Sequence, residues 1–84
     1  MASKKNFTLK IINQEKILFY GDCSVVFLPS EVDTIAIMAY HEPMLMKLGK
    51  GRVSLRENGH DQVIADIKGG VAYVGENEVS VLVT

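Results

Sequence analysis

The side chains able to do acid–base, nucleophilic or metal chemistry in this 84-residue sequence are two histidines, His41 and His60, a single cysteine, Cys23, and ten carboxylates. Zinc sites draw closely spaced Cys and His ligands, and one cysteine with two distant histidines does not write such a signature. A Cys–His nucleophilic pair can be drawn on paper. However, Cys23 opens a β-branched run beside Val25 and Val26, where a packed thiol is the ordinary outcome. Gly69-Gly70 lacks the flanking pattern that aims backbone amides at phosphate, and it reads as a tight approach to a strand. Glu31 with Asp33, and Glu76 with Glu78, lie in turn-like stretches, where solvated charge is expected rather than a paired acid and base. No catalytic constellation, cofactor site or metal site is expected.

The elements that position these residues are short. Hydrophobic residues make up 48% and charged residues 23% of the sequence, within the range of an ordered domain. The length suits one domain, 1–84, with a limited core. A net charge of -1 argues against a nucleic-acid partner held by phosphate attraction. The lone cysteine rules out an internal disulfide framework and points to a reducing compartment. No apolar run approaches the roughly 18 residues of a membrane helix, and the basic opening Met1-Ala2-Ser3-Lys4-Lys5-Asn6 leads into alternation rather than a leader-like apolar block.

Alternation then organises the chain. Phe7, Leu9 and Ile11 fall on one face of a first strand. Gln14-Glu15-Lys16 turns into Ile17-Leu18-Phe19-Tyr20, and Gly21-Asp22 reads as a second turn. Residues 23–28 form the next strand, closed by Pro29. An acidic loop (Ser30-Glu31-Val32-Asp33) precedes a strand over 34–40 with Ile35 and Ile37 in phase. Over 43–48 a single helical turn would put Met44, Leu45 and Leu48 on one face, but Gly49, Gly51 and the flanking β-rich segments favour a short strand. Asn58-Gly59, flanked by Val53, Leu55 and Val63, is a two-residue hairpin signal. Gly69-Gly70 precedes Val71-Ala72-Tyr73-Val74, and Gly75-Glu76-Asn77 turns into Val79-Ser80-Val81-Leu82-Val83. The expected fold is all-β, a two-sheet antiparallel β-sandwich of about nine or ten short strands.

Met38, Met44 and Met46 surround Tyr40-His41-Glu42-Pro43. Methionine fills core gaps and also serves adaptable contact surfaces, so both readings stand. His41 is either a turn residue bonded to nearby backbone or part of a protein–protein contact. Loops on a rigid sandwich often carry binding.

The order of these signals resembles the epsilon subunit of the F-type ATP synthase over nearly the whole chain. Leu9, Ile11, Glu15-Lys16, Leu18-Phe19 and Gly21, followed by Val25-Val26-Phe27-Leu28-Pro29, look like the opening of that family. His41-x-Pro43-Met44-Leu45, with Leu48 and Gly51, resembles its His-Ala-Pro-Leu-Leu loop. Gly69-Gly70-Val71-Ala72-Tyr73-Val74 and Asn77-x-Val79-Ser80-Val81-Leu82 resemble its last two strands. The family's Gly-Glu-Leu-Gly-Ile-Leu-Pro stretch is replaced here by Asp33-Thr34-Ile35-Ala36-Ile37-Met38-Ala39, and Glu42 stands where alanine is usual. Family members carry a helical hairpin beyond the sandwich, which residues up to Thr84 do not include. Inhibition of ATP hydrolysis and regulatory ATP binding belong to that hairpin and are not carried over.

The resemblance implies a non-catalytic central-stalk subunit that couples rotation of the c-ring to the catalytic head through contact with the gamma subunit. It also implies a peripheral position at the cytoplasmic face of a bacterial inner membrane, with membrane association only through the complex. On this reading the end carrying Glu31, Asp33, Tyr40, His41, Glu42 and Pro43 faces the c-ring. Met44, Met46, Gly69 and Gly70 meet gamma. The alternative is an unrelated small β-sandwich adaptor, and a ligand-binding β protein would need a concave pocket with convergent polar groups.

Overall fold

The computed structural model describes residues 6–84. The basic opening at residues 1–5, with the leader question attached to it, lies outside the described residues. Nine strands run through the described part: β1 (Phe7–Ile12), β2 (Ile17–Cys23), β3 (Val25–Pro29), β4 (Thr34–Met38), β5 (Met44–Leu48), β6 (Gly51–Glu57), β7 (His60–Ile67), β8 (Gly70–Val74) and β9 (Glu78–Val83). They form a five-stranded sheet, ordered β2-β1-β9-β8-β5, and a four-stranded sheet, ordered β4-β3-β6-β7.

The sandwich and the strand number match expectation, with one difference. β1 pairs with β9 in parallel, Leu9 opposite Val79 and Ile11 opposite Val81, so the larger sheet is mixed rather than wholly antiparallel. Parallel neighbours need a long connection between them. Here seven intervening strands supply it, which brings the first and last strands together at the centre of the sheet.

Strict alternation fills the core. Phe7, Leu9 and Ile11 of β1, Val79, Val81 and Val83 of β9, and Ala72 and Val74 of β8 point inward. Val26 and Leu28 of β3, Ile37 of β4, and Val53 and Leu55 of β6 meet them from the other sheet. No buried polar or charged side chain occurs among the described residues. Each fully buried aliphatic side chain contributes about 1.5–3 kcal/mol of transfer free energy, so the pleat's two-residue period largely fixes the strand register.

Several local expectations shift. Gly21-Asp22 is not a turn: β2 continues through it, with Gly21 opposite Leu9 and Asp22 opposite Thr8. The ladder to β1 outweighs the local turn preference, and the bend falls instead at Ser24. There the Ser24 amide and hydroxyl both donate to the Arg56 carbonyl at 2.9 Å as the chain changes sheets. The strand expected over 34–40 stops at Met38, because Ala39 and Tyr40 form a turn in which Tyr40 has a φ of 66°. Residues 44–48 are a strand, so Met44, Met46 and Leu48 share the inner face while Leu45 and Lys47 point out. Asn58 and Gly59 turn the β6–β7 hairpin with φ of 54° and 78°, the left-handed pair that such a loop demands.

The registers define two ends. Ser24 and residues 39–43, 58–59 and 75–77 lie at one, which we call the Asn58 end. Residues 13–16, 30–33, 49–50, 68–69 and Thr84 lie at the other, the Ser30 end.

Candidate interaction surfaces

Residues 30–33 link β3 to β4, and one side chain pins them. The Ser30 hydroxyl donates to the Asp33 carbonyl at 2.7 Å and accepts from the Asp33 amide at 2.9 Å and the Val32 amide at 3.3 Å. The Ser30 amide donates to the Asp33 carbonyl at 2.7 Å, and the Asp33 carboxylate accepts from the Thr34 amide at 2.8 Å. This staple leaves Val32 94% exposed at the tip between two acids. Glu31 reaches Lys47 of β5 at 3.4 Å, with both side chains largely exposed, so the pair is worth only about 0–1 kcal/mol.

Tyr40, His41, Glu42 and Pro43 lie in the crossover from β4 to β5. His41 Nδ1 donates to the Glu42 carbonyl at 2.9 Å, the backbone-bonded turn anticipated for it. Tyr40 is exposed, as are Glu42 and Pro43. The two groups expected at a single end are therefore separated. Residues 30–33 enter β4 and residues 39–43 leave it, so the full strand, about 17 Å of extended chain, lies between them.

Of the four residues expected against a second partner, Met46 points into the core at 8% exposure, and Met44 packs half-buried against it. Gly70 is closed against β9, where an added Cβ would overlap the Leu82 carbonyl oxygen. Neither Met46 nor Gly70 offers a side chain to a partner. The pleat accounts for this: Met44 and Met46 lie two residues apart on the inner face of β5, while Leu45 and Lys47 point outward.

The apolar surface that does face outward was missed. Leu45 of β5, Val71 and Tyr73 of β8, and Leu82 of β9 are 70%, 42%, 54% and 49% exposed on the outer face of the larger sheet. Leu45 lies opposite Tyr73, Val71 opposite Leu82, and Leu82 opposite Ile12, so the patch is continuous across four strands. An open groove of about 250 Å³ runs there, lined by Lys10, Ile12, Val71, Tyr73, Ser80 and Leu82 among others. The signal was present in Val71-Ala72-Tyr73-Val74 and Val79-Ser80-Val81-Leu82-Val83. Apolar residues occupy both phases of these strands, which marks a strand with two apolar faces.

The residues weighed for catalysis are dispersed. Cys23 is fully buried, and its thiol is pushed from 9.0 up to about 12, chiefly by burial, with the nearby Glu57 and Asp22 charges adding to the rise. It is therefore a protonated packing residue at neutral pH. Glu76 and Glu78 are exposed around a turn closed by the Gly75 amide bonding to the Glu78 carbonyl at 2.7 Å. Among the described residues no group of three or more His, Cys, Asp or Glu is placed to hold a metal ion. Among the described residues no helix is long and apolar enough to cross a membrane.

Fold and surface together define a small mixed-sheet β-sandwich with one apolar outer face and a pinned acidic turn at one end. Residues 6–84 match the family model of the ATP synthase delta/epsilon chain β-sandwich domain, and the chain belongs to that family. It is 36% identical over 76 residues to the ATP synthase epsilon chain of Gloeothece citriformis, covering 90% of this chain and 54% of that one. It is 32% identical over 82 residues to the ATP synthase epsilon chain of Parvibaculum lavamentivorans, covering 98% of this chain and 61% of that one. The chain thus spans between half and two thirds of these relatives.

Among solved structures, a chain in the Euglena gracilis mitochondrial ATP synthase superposes with a TM-score of 0.85 at 17% identity, covering 96% of this chain and 51% of that one. A chain in the central stalk and c-ring of the Tetrahymena thermophila mitochondrial ATP synthase superposes with a TM-score of 0.76 at 14% identity, covering 99% and 66%. These two likenesses establish the fold. The family match sets aside the alternative of an unrelated sandwich adaptor.

Proposed function

We propose that the domain is a non-catalytic part of the central stalk of a rotary ATP synthase, docking on gamma and on the c-ring so that ring rotation reaches the catalytic head. It binds no cofactor, and it sits peripherally at the cytoplasmic face of a bacterial inner membrane, held there through the complex. Family membership supports the stalk role. The observation that carries the orientation is the unequal charge of the two ends.

Asp22, Glu42, Glu57, Asp61, Glu76 and Glu78 gather toward the Asn58 end, where Arg56, bonded to Asp61 at 2.7 Å, is the one arginine or lysine among the described residues, beside His41 and His60. At the Ser30 end Lys16, Lys50 and Lys68 are balanced by Glu15, Glu31 and Asp33, so this end is near neutral. An anionic leaflet repels the acidic pole more than the balanced one, which turns the Ser30 end toward the membrane. That end also carries the stiffer loop. The pinned turn presents Glu31, Val32 and Asp33 to the polar loops of the ring, where complementary charge sets register more than affinity.

Charge reversal tests the assignment in vesicles carrying the whole complex. E31K with D33K should lower ATP-driven proton pumping several-fold at low salt while ATP hydrolysis continues. E42K with E76K at the opposite end should leave pumping near normal. The reverse pattern would move the ring contact to the Asn58 end. Absence of the chain from purified complex would overturn the stalk role altogether.

A further inference from the structure

From the four sheet edges we infer that β4 is a docking edge for a second copy of this chain, two β4 strands pairing antiparallel about a two-fold axis at Ile37. The inference goes beyond the stalk reading and does not depend on it. An edge strand offers unpaired amides and carbonyls to any neighbour, and folded proteins block it with charge, proline or a bulge. Three of the edges here are blocked in this way. β2 carries Asp22, and its register to β1 shifts at Ile12. β5 carries Lys47, held by Glu31 at 3.4 Å. β7 carries Asp61 and Asp66, bonded to Arg56 and Arg52, and its register to β6 shifts beside Ser54. β4 reads Thr34-Ile35-Ala36-Ile37-Met38, with no charge, no proline and an unbroken register to β3.

The hydrogen-bond phase of this edge follows from the pinned turn. The Ser30 amide bonds the Asp33 carbonyl, and an antiparallel ladder alternates from there. Ile35 and Ile37 therefore bond β3, while the backbone groups of Thr34, Ala36 and Met38 point away from it. The Thr34 amide is already taken by the Asp33 carboxylate at 2.8 Å. Ala36 and Met38 have no such cap among the described residues. With Ile37 opposite Ile37, Ala36 of each copy faces Met38 of the other, and each of these pairs exchanges both of its backbone bonds. The pleat is kept: Ile37 stays on the inner face, Ala36 and Met38 on the outer. There Met38, 57% exposed, lies over the small Ala36 of the other copy and beside Phe27, which neighbours Ala36 in the ladder. A thioether beside an aromatic ring is a favourable contact.

Charge favours this occupant and this orientation. β4 has no charge with which to select a charged partner. Antiparallel pairing sets the near-neutral Ser30 end of one copy beside the acidic Asn58 end of the other, whereas parallel pairing would bring two acidic ends together. Two five-residue strands bury well under the roughly 1,200 Å² of a stable interface, so the dimer is weak and reversible. Because β7, the other edge of the same sheet, is blocked, growth stops at two copies.

The test follows the purified chain by sedimentation equilibrium from about 10 µM to about 1 mM. The parent should pass from monomer to dimer across that range. A36K and M38K, each confirmed as folded by far-UV circular dichroism, should stay monomeric throughout, because each sets a charge on the paired edge. V63K, on exposed β7 surface of the same sheet, should associate as the parent does. Amide hydrogen exchange in the parent should slow several-fold at Ala36 and Met38 between the lowest and highest concentrations, while the capped Thr34 amide changes little. That readout needs no substituted chain to fold. A parent that is still monomeric at the top of the range overturns the inference, as does a dimer undisturbed by both A36K and M38K or one whose slowed amides lie on another strand. Slowing at Ala36 and Met38 on adding purified gamma, but not on raising the concentration, would give the edge to that partner and overturn the second-copy assignment.

Discussion

Replacing Gly70 by alanine should break the larger sheet, while the same change at Gly69 should be nearly silent. Gly70 has a φ of 150°, and a Cβ there would overlap the Leu82 carbonyl oxygen and lie 3.0 Å from the Val83 Cα. Both neighbours are backbone of β9, which cannot swing aside as a flexible side chain can. Relief requires parting β8 from β9 around the pairs Gly70–Val83 and Val71–Leu82. Losing one or two ladder hydrogen bonds costs about 1 kcal/mol each. Holding a non-glycine residue at that φ costs about 1–3 kcal/mol more. The sum, about 2–5 kcal/mol, is a large share of the roughly 4–13 kcal/mol expected for a domain of this length.

In a thermal melt followed by circular dichroism, that loss lowers Tm by about 8–40 °C at the scaling of small domains. Urea unfolding of the same variant should show a matching fall in midpoint with little change in slope. Gly69 is different. A Cβ there would lie 3.5 Å from the Leu48 carbonyl oxygen and 3.8 Å from Thr84 Oγ1, ordinary contact distances. Gly69→Ala should therefore stay within about 0.5 kcal/mol, or gain slightly by stiffening the unfolded chain. Equal effects of the two alanines, or a loss below about 1 kcal/mol for Gly70→Ala, would refute the close-approach argument.

Two further perturbations check the core. Met46→Asp puts a charge into the interior and should cost at least about 3 kcal/mol, seen as loss of the folded signal, whereas Leu45→Asp one residue away should stay within about 0.5 kcal/mol; equal stabilities would mean the inward and outward phases of β5 are misassigned. Cys23 tests the buried thiol through pH: its folded value of about 12 lies above the unfolded 9.0, so its contribution is whole below pH 9 and is lost as pH rises toward 12, because the unfolded chain then binds one proton fewer. Stability should fall about 1.4 kcal/mol per pH unit more steeply in the parent than in Cys23→Ala between pH 9.5 and 11, read from urea midpoints, and parallel slopes would show the thiol is not desolvated.

What the sequence made legible was whatever is decided within a few residues. Phe7, Leu9 and Ile11 alternate because one face of β1 is core, and all three are buried. Asn58-Gly59 adopts the left-handed pair because few other residues tolerate it in succession. What stayed hidden depends on pairing at a distance. Gly21-Asp22 looks like a turn until β1 is laid beside it, since the ladder opposite Leu9 and Thr8 holds the chain extended. The parallel pairing of β1 and β9 has no local trace at all. Residues 30–33 and 40–43 are expected at one end of the sandwich, yet the strand between them carries them to opposite ends. Met44 and Met46 looked like surface contacts because the pleat was not followed residue by residue through β5, and that step reveals Leu45 as the outward side chain.

On the proposed stalk role, the domain would have to connect its contact surfaces through structure that does not yield, and a hydrogen-bonded route between the apolar band and the Ser30 end can be traced. The apolar band lies on β5, β8, β9 and β1, of which β8, β9 and β1 are each flanked on both sides in the larger sheet. From the band, β9 runs to Thr84 at the Ser30 end. There the Thr84 amide donates to the Gly69 carbonyl at 3.0 Å, and the Lys68 amide donates to the Thr84 carbonyl at 2.9 Å. β5 ends beside the pinned turn, where the Gly49 amide donates to the Pro29 carbonyl at 2.9 Å, one residue before the Ser30 staple begins. Force applied at Leu45 or Leu82 therefore reaches Glu31 and Asp33 through strand backbone and hydrogen-bonded corners. The crossover at residues 39–43 lies outside that route, at the far end, and it carries a single side-chain bond from His41 to its own neighbour. The stiff route and the near-neutral pole coincide at the Ser30 end, which is the arrangement a contact beside a membrane-embedded ring would need.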